Sequence, residues 1–116
     1  METVTQLIAA AAVRHRAALL GEADRLAGIV ARAFGIRVAF LLGRSTKRVY
    51  AYPRQVLTWL LFTELNAGIA WIAWFTNRDR ATVRYAIRLV EGLIETNERD
   101  RETIARITEA LKQPAA

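Results

Sequence analysis

Regularly spaced arginines are the residues of this sequence best suited to a chemical task. Arg80, Arg84 and Arg88 recur every four residues, so a helix over this segment would carry all three on one face. Such a face can grip phosphates, and an arginine can also bond both O6 and N7 of one guanine. Because the major groove of DNA admits a single α-helix, the segment is predicted to bind double-stranded DNA.

The composition excludes several other kinds of chemistry. The 116 residues include no cysteine, which excludes a thiol nucleophile and a Cys-ligated metal. With one histidine, His15, neither a histidine-rich metal site nor a histidine-based triad is expected. The stretch at residues 43–48 lacks the Walker A spacing G-x-x-x-x-G-K-[ST] that cradles a nucleoside triphosphate. We therefore predict a protein that is not an enzyme and that uses no cofactor and no metal.

The positive charge is concentrated in two segments. Lysine and arginine number 17 against 11 acids, which gives a formal net charge of +6. Residues 25–63 contain seven basic side chains and no acid, and residues 78–88 contain four arginines and one acid. A polyanion relieves the self-repulsion of such unbalanced charge, so nucleic acid is the expected partner and the cytoplasm the expected location.

Hydrophobic periodicity and the scarcity of glycine and proline predict an all-α single domain with an extra N-terminal helix. Gly21 and Gly35 are expected to end helices, Pro53 to occupy a first helical turn, and Asp79 to cap the helix that carries the arginines. Thr3 or Thr5 is expected to cap the first helix. The first predicted helix ends at residue 20. The other predicted helices span residues 22–34, 38–42, 53–66, 69–75, 80–95 and 98–112.

A helix-turn-helix is predicted within residues 53–94. A short apolar helix precedes a turn at Thr76 and Asn77, and the basic helix follows. On that helix an inward stripe of apolar residues faces away from the arginines, and it consists of Val83, Ala86, Ile87, Val90 and Ile94.

Several motifs in this region, in matching order, resemble the C-terminal DNA-binding domain of the bacterial replication initiator DnaA. The segment 30–38 followed by Leu41-Leu42-Gly43 is similar to that domain's opening helices. The basic loop 44–48 with Pro53-Arg54-Gln55 is similar to its basic loop and the following helix. The sequence Arg78-Asp79-Arg80-Ala81-Thr82-Val83 resembles the family signature R-D-H-[ST]-T-V. The resemblance implies a helical extension at residues 1–24 and a DnaA-like helix-turn-helix domain at residues 25–116.

The resemblance also implies which residues contact DNA. The start of the signature helix would reach base edges with Asp79, Arg80, Ala81 and Thr82, while Arg78 and Tyr85 would lie near phosphates. The basic loop would follow the DNA backbone. Together with the helix arginines, the candidate DNA-binding residues are Arg44, Lys47, Arg48, Arg54, Gln55, Arg78, Asp79, Arg80, Ala81, Thr82, Arg84, Tyr85 and Arg88.

Three positions depart from the family pattern. Arg80 stands where the signature has histidine, Ala81 where it has serine or threonine, and Tyr52 where an arginine precedes Pro-Arg-Gln. A target site other than the family's own DNA box is therefore expected. Because Walker motifs and an AAA+ module are absent, we expect a stand-alone, nucleoid-associated regulator of transcription or replication from a bacterium or its phage.

Two alternative interpretations stay open. The apolar short helix carries Trp71 and Trp74, which either cover the core or form a surface for a protein partner or a second copy. If they form such a surface, the protein is an interaction module that keeps the fold but has lost specific DNA recognition. Residues 56–75 are long enough to span a bilayer, but Glu64 and Asn66 would lie at the midplane, so no membrane span is expected.

Overall fold

The computed structural model describes residues 1–114. This range contains six α-helices and no β-strand. The predicted all-α fold is confirmed. The helices are α1 (Val4–Phe34), α2 (Val38–Leu41), α3 (Arg48–Thr63), α4 (Ile69–Thr76), α5 (Arg80–Thr96) and α6 (Glu98–Lys112).

Helix α1 is a single helix of 31 residues, so the predicted break at Gly21 is wrong. Thr3 caps its start in a capping box with Gln6, and Gly35 ends it in a left-handed conformation with φ 66°. A glycine inside a helix costs only about 1 kcal/mol relative to alanine. Strong helix formers flank Gly21 on both sides, so the helix continues through it.

Helix α3 begins at Arg48, five residues before the position expected from Pro53. Proline lacks the N–H that would bond the Val49 carbonyl four residues earlier, so one helical hydrogen bond is lost. Val49 is on the surface, where solvent can bond that carbonyl. The helix therefore tolerates Pro53 in its second turn, and the basic loop is shorter than predicted.

The core lies around α3, which packs against α1, α2, α4 and α5. Helix α6 completes the domain by packing on α1 and α5. Fully buried aliphatic side chains from all six helices meet in this core, and they include Leu26, Leu41, Leu57, Leu60, Ile72, Val90 and Ile107. Burial of each such side chain contributes about 1.5–3 kcal/mol, which explains how 116 residues fold without disulfides.

The N-terminal half of α1 extends beyond this core. The first buried residue of α1 is Ala23, whereas Val4, Leu7 and Ile8 near the start of the helix are exposed. The molecule is accordingly elongated, with principal extents of 56 × 34 × 27 Å. The proposed division of the chain near residue 24 stays a prediction.

The stretch that could have spanned a bilayer is divided between two helices. Helix α3 ends at Thr63, and Asn66 adopts φ 54° in the turn before α4. None of the helices in residues 1–114 combines the length and the apolar character that crossing a membrane requires.

Alanine at Gly21 tests the continuity of α1. A Cβ at this position meets no atom within 4 Å, so Gly21→Ala should raise helicity and leave the domain at least as stable as wild type. The matched control is Gly35→Ala, which should cost about 1–2 kcal/mol because φ there is positive. Far-UV circular dichroism and urea denaturation measure both effects. Equal destabilisation by the two substitutions would show that α1 is broken at Gly21.

Candidate nucleic-acid interface

A tight turn of three residues joins α4 to α5. Asn77 ends α4 in a left-handed conformation with φ 53°, and the Arg78 amide donates to the Ala73 carbonyl at 2.9 Å. Asp79 then caps α5, because its carboxylate accepts from the Thr82 amide at 2.7 Å. These hydrogen bonds with Thr82 hold the pKa of Asp79 below its usual value. The predicted cap and the helix-turn-helix connection are both present.

Helix α5 separates a buried face from a charged face. Val83, Ala86, Ile87 and Val90 are buried as predicted, and Ile94 is half-buried. The opposite face exposes Arg80, Ala81, Arg84, Tyr85 and Arg88. Seventeen residues at about 1.5 Å each give a rod of about 25 Å, long enough to lie along a DNA groove.

The basic loop before α3 is fastened by Arg54. This side chain is buried, with 6% of its surface exposed. Its guanidinium donates to the carbonyls of Leu41 at 2.7 Å, Ser45 at 3.0 Å and Phe40 at 3.3 Å. Burial, and then the nearby charge of Arg78, lower the pKa of Arg54, although a guanidinium stays charged at any physiological pH.

Arg78 attaches the same loop to the helix-turn-helix. Its guanidinium donates to the Gly43 carbonyl at 2.6 Å and to its neighbour, the Asn77 carbonyl, at 3.0 Å. A small cleft of about 140 Å³ lies at this junction, and its lining includes Thr46, Gln55, Arg78 and Thr82. The loop, the start of α3 and the start of α5 therefore form one continuous surface.

Most of the residues expected to contact DNA are accessible. Gln55 and Arg78 are half-buried, and the exposed residues are Arg44, Lys47, Arg48, Asp79, Arg80, Ala81, Thr82, Arg84, Tyr85 and Arg88. Arg54 differs from this group. Arg54 was predicted to contact DNA, whereas in the structure its guanidinium donates to the chain's own carbonyls. Arg54 lies six residues after the loop at 44–48, and its side chain points back to it.

Tyr52 has a structural task that sequence reasoning missed. Its ring packs edge-on against Phe34 with 5.5 Å between centroids, and its hydroxyl donates to the Asp100 carboxylate. Burial first, and then this hydrogen bond, raise the pKa of the hydroxyl. The Arg48 guanidinium lies 5.6 Å from the centre of the same ring. Tyr52 thus links α3 to α1 and α6, and only its i+4 spacing from Arg48 was a signal in the sequence.

The tryptophans of α4 differ in environment. Trp71 is half-buried, packs against the core and stacks on Phe75 with 5.2 Å between ring centroids. Trp74 has 65% of its surface exposed and lies 5.7 Å from Trp71 between centroids. One of the two rings therefore covers the core and the other faces solvent.

The sequence of the domain matches a known family over the region just described. Residues 23–90 match the family described as the bacterial DnaA protein helix-turn-helix. The chain belongs to this family. The match begins at the first buried residue of α1 and ends at Val90 in α5, so it contains the loop, the turn and the exposed arginines of α5.

Two curated relatives of the DnaA-like chain come from chlamydiae, and both are named chromosomal replication initiator protein DnaA 1. The protein of Chlamydia pneumoniae is 38% identical over 71 residues, which are 61% of this chain and 15% of the relative. The protein of Chlamydia trachomatis is 32% identical over 107 residues, which are 88% of this chain and 24% of the relative. The chain thus spans less than a quarter of the length of these relatives.

Removal of the Arg54 side chain tests its task in the loop. Arg54→Ala leaves three carbonyls without their donor, so the domain should lose about 2–4 kcal/mol of stability. The control Arg44→Ala removes an exposed charge from the same loop and should leave the unfolding midpoint unchanged. Urea denaturation measures both, and a wild-type midpoint for Arg54→Ala would contradict the assignment.

Proposed function

We propose that this DnaA-like chain binds double-stranded DNA with α5 in the major groove and the basic loop along the sugar–phosphate backbone. The observation that carries the proposal is the junction at Arg78, whose bond to Gly43 places the loop beside the start of α5. Family membership supports DNA binding, since the matched region is the helix-turn-helix itself. The exposed cations on both elements supply the phosphate contacts that give affinity.

In this proposal the residues in the first turn of α5 contact the base edges. The Asp79 carboxylate accepts a hydrogen bond from the Thr82 amide, which fixes the start of the helix. The backbone N–H groups of this first turn can then point toward a DNA phosphate. Arg80 is exposed at the first position of the helix, where its fork can meet O6 and N7 of a guanine. Ala81 adds a small apolar surface suited to a thymine methyl group.

The wider role proposed is sequence-specific regulation of transcription or of replication, in a bacterium or its phage. The similarity to proteins named as replication initiators supports a replication context, although the chain spans 24% or less of the two described above. The changes at Arg80 and Ala81 favour a target of its own rather than the family's DNA box.

A salt titration with a loop variant tests the binding mode. Lys47 and Arg48 are proposed to touch phosphates only, so replacing both with alanine should weaken binding to every duplex by a similar factor. The slope of log K against log[salt] should flatten by about two units, since each lost contact contributes about 0.9. The control variant Arg14→Ala/Arg16→Ala removes the same charge from the exposed half of α1 and should keep the wild-type slope. An unchanged slope for the loop variant would show that the loop faces away from DNA.

A second experiment tests the base-reading role of Arg80. After selection of bound sequences from a random duplex library, Arg80→Ala should cost about 1–3 kcal/mol on the preferred site and much less on a duplex with the guanine replaced. Arg80→Lys should restore non-specific affinity but only part of the discrimination, because the lysine lacks the planar fork. An identical loss on matched and mismatched sites would instead assign Arg80 to a phosphate.

The exposure of Trp74 favours a second candidate function. A large aromatic ring at 65% exposure is suited to a protein partner or a second copy, with Trp71 beneath it as support. In this alternative the chain is an interaction module that retains the fold. The same salt titration separates the candidates: an interaction module binds duplex DNA weakly at physiological salt, whereas the proposed DNA-binding protein binds tightly.

A further inference from the structure

A groove of about 730 Å³ runs between α1 and α6. Its α1 wall uses residues 25–33 and its α6 wall uses residues 103–110, each along one helical face, and Gln113 and Pro114 after α6 complete the lining. The α1 wall is about 12 Å long, which equals roughly two turns of a helix laid into the groove. The floor is apolar or small, and it consists of Gly28, Ile29, Ala33, Ile107 and Ala110.

The rim of this groove is positively charged. Arg25, Arg32 and Arg106 line it, and no acidic side chain does so within the described residues. Arg25 already donates to the carbonyls of Leu111 and Gln113 at the end of α6. Arg32 and Arg106 are exposed on opposite walls. An apolar floor between two such cations matches an occupant that carries apolar side chains flanked by carboxylates.

We propose that the α1–α6 groove binds an acidic amphipathic helix of a partner protein. Apolar side chains of that helix cover Ile29, Ala33 and Ala110, and its carboxylates pair with Arg32 and Arg106. Neither α1 nor α6 carries any residue of the candidate DNA-binding surface, so the partner and the duplex occupy different elements. This proposal does not depend on the proposed DNA binding.

Charge argues against a second copy of this chain as the occupant of the groove. The exposed half of α1 is apolar enough to enter the groove of a second copy, but it carries Arg14 and Arg16. These cations would face the arginines of the rim, and like charges at an interface oppose association. An acidic partner helix has no such conflict.

Gly28 offers a clean way to close the groove. A Cβ at this position meets nothing within 4 Å, and Gly28 lies inside a helix. The Cβ of a substituted residue therefore has room, and the rest of a leucine side chain extends from it toward the groove. Gly28→Leu should keep or raise the thermal midpoint, which is measured alongside binding. Loss of binding at an unchanged thermal midpoint is then caused by occlusion and not by unfolding.

The test uses the full ¹⁵N-labelled chain and two synthetic helical peptides. One peptide repeats leucine at helical spacing with flanking glutamates, and the other has lysine in place of every glutamate. The acidic peptide should shift the amide resonances of Gly28, Ala33 and Ala110, and the lysine peptide should not. Gly28→Leu and Arg32→Glu/Arg106→Glu should each weaken the acidic peptide by more than about tenfold. The control Arg14→Glu/Arg16→Glu changes the net charge equally and should bind the acidic peptide as wild type does.

Several outcomes would overturn the proposal. Equal affinity for the two peptides would remove the role of charge, and shifts confined to α5 or the loop would move the binding site elsewhere. A duplex DNA titration that shifts the groove resonances would make the groove part of a longer DNA interface. A concentration-dependent dimer that Gly28→Leu abolishes would assign it to a second copy. Failure of DNA binding is measured separately by the duplex titration and leaves the peptide result unaffected.

Discussion

The hydrogen bonds from Arg54 and Arg78 to carbonyls at the end of α2 and in the following loop are the constraint on which the candidate DNA surface depends. A loop of irregular backbone needs partners for its polar groups, and here two guanidinium groups supply them. Fixing the loop with cations has a second effect. Acidic side chains in the same positions would neutralise the surface, whereas arginines bound to carbonyls leave the positive potential in place for a polyanion.

The same device recurs at the ends of other helices. Arg25 donates to carbonyls at the end of α6, and Arg101 donates to the Ile94 carbonyl at 2.9 Å near the end of α5. The last carbonyls of a helix lack intrahelical donors and carry partial negative charge, so a cation stabilises them on both counts. The arginine content therefore has two origins. Some side chains complete helix ends and loops, and others face solvent where DNA can meet them.

This double use explains what the sequence could and could not predict. Periodicity located α5 and α6 well, and the cap at Asp79 was predicted because its partner is local. The cap of α6 at Asn97 is equally local, although it was not predicted. Gly21 and Pro53 misled, because each was taken as a helix boundary. A glycine inside a helix costs only about 1 kcal/mol. A proline costs about 3 kcal/mol, which the packing of α3 against four other helices offsets. Arg54 was assigned from residue type and family motif. Its burial depends on where the loop returns over α3, which is a tertiary property that no local pattern encodes.

Position 52 shows how a departure from a family pattern can be structural in origin. An arginine before Pro-Arg-Gln would add charge next to the loop, whereas Tyr52 packs on Phe34 and bonds Asp100. The exchange replaces a charge by a link between α3 and α6, and it holds Arg48 over the tyrosine ring. The loop thereby loses a cation, while α6 is bound more firmly to the core. In the proposed binding mode, discrimination among DNA sequences is then left to the first turn of α5, where Asp79 caps the helix and Arg80 is exposed.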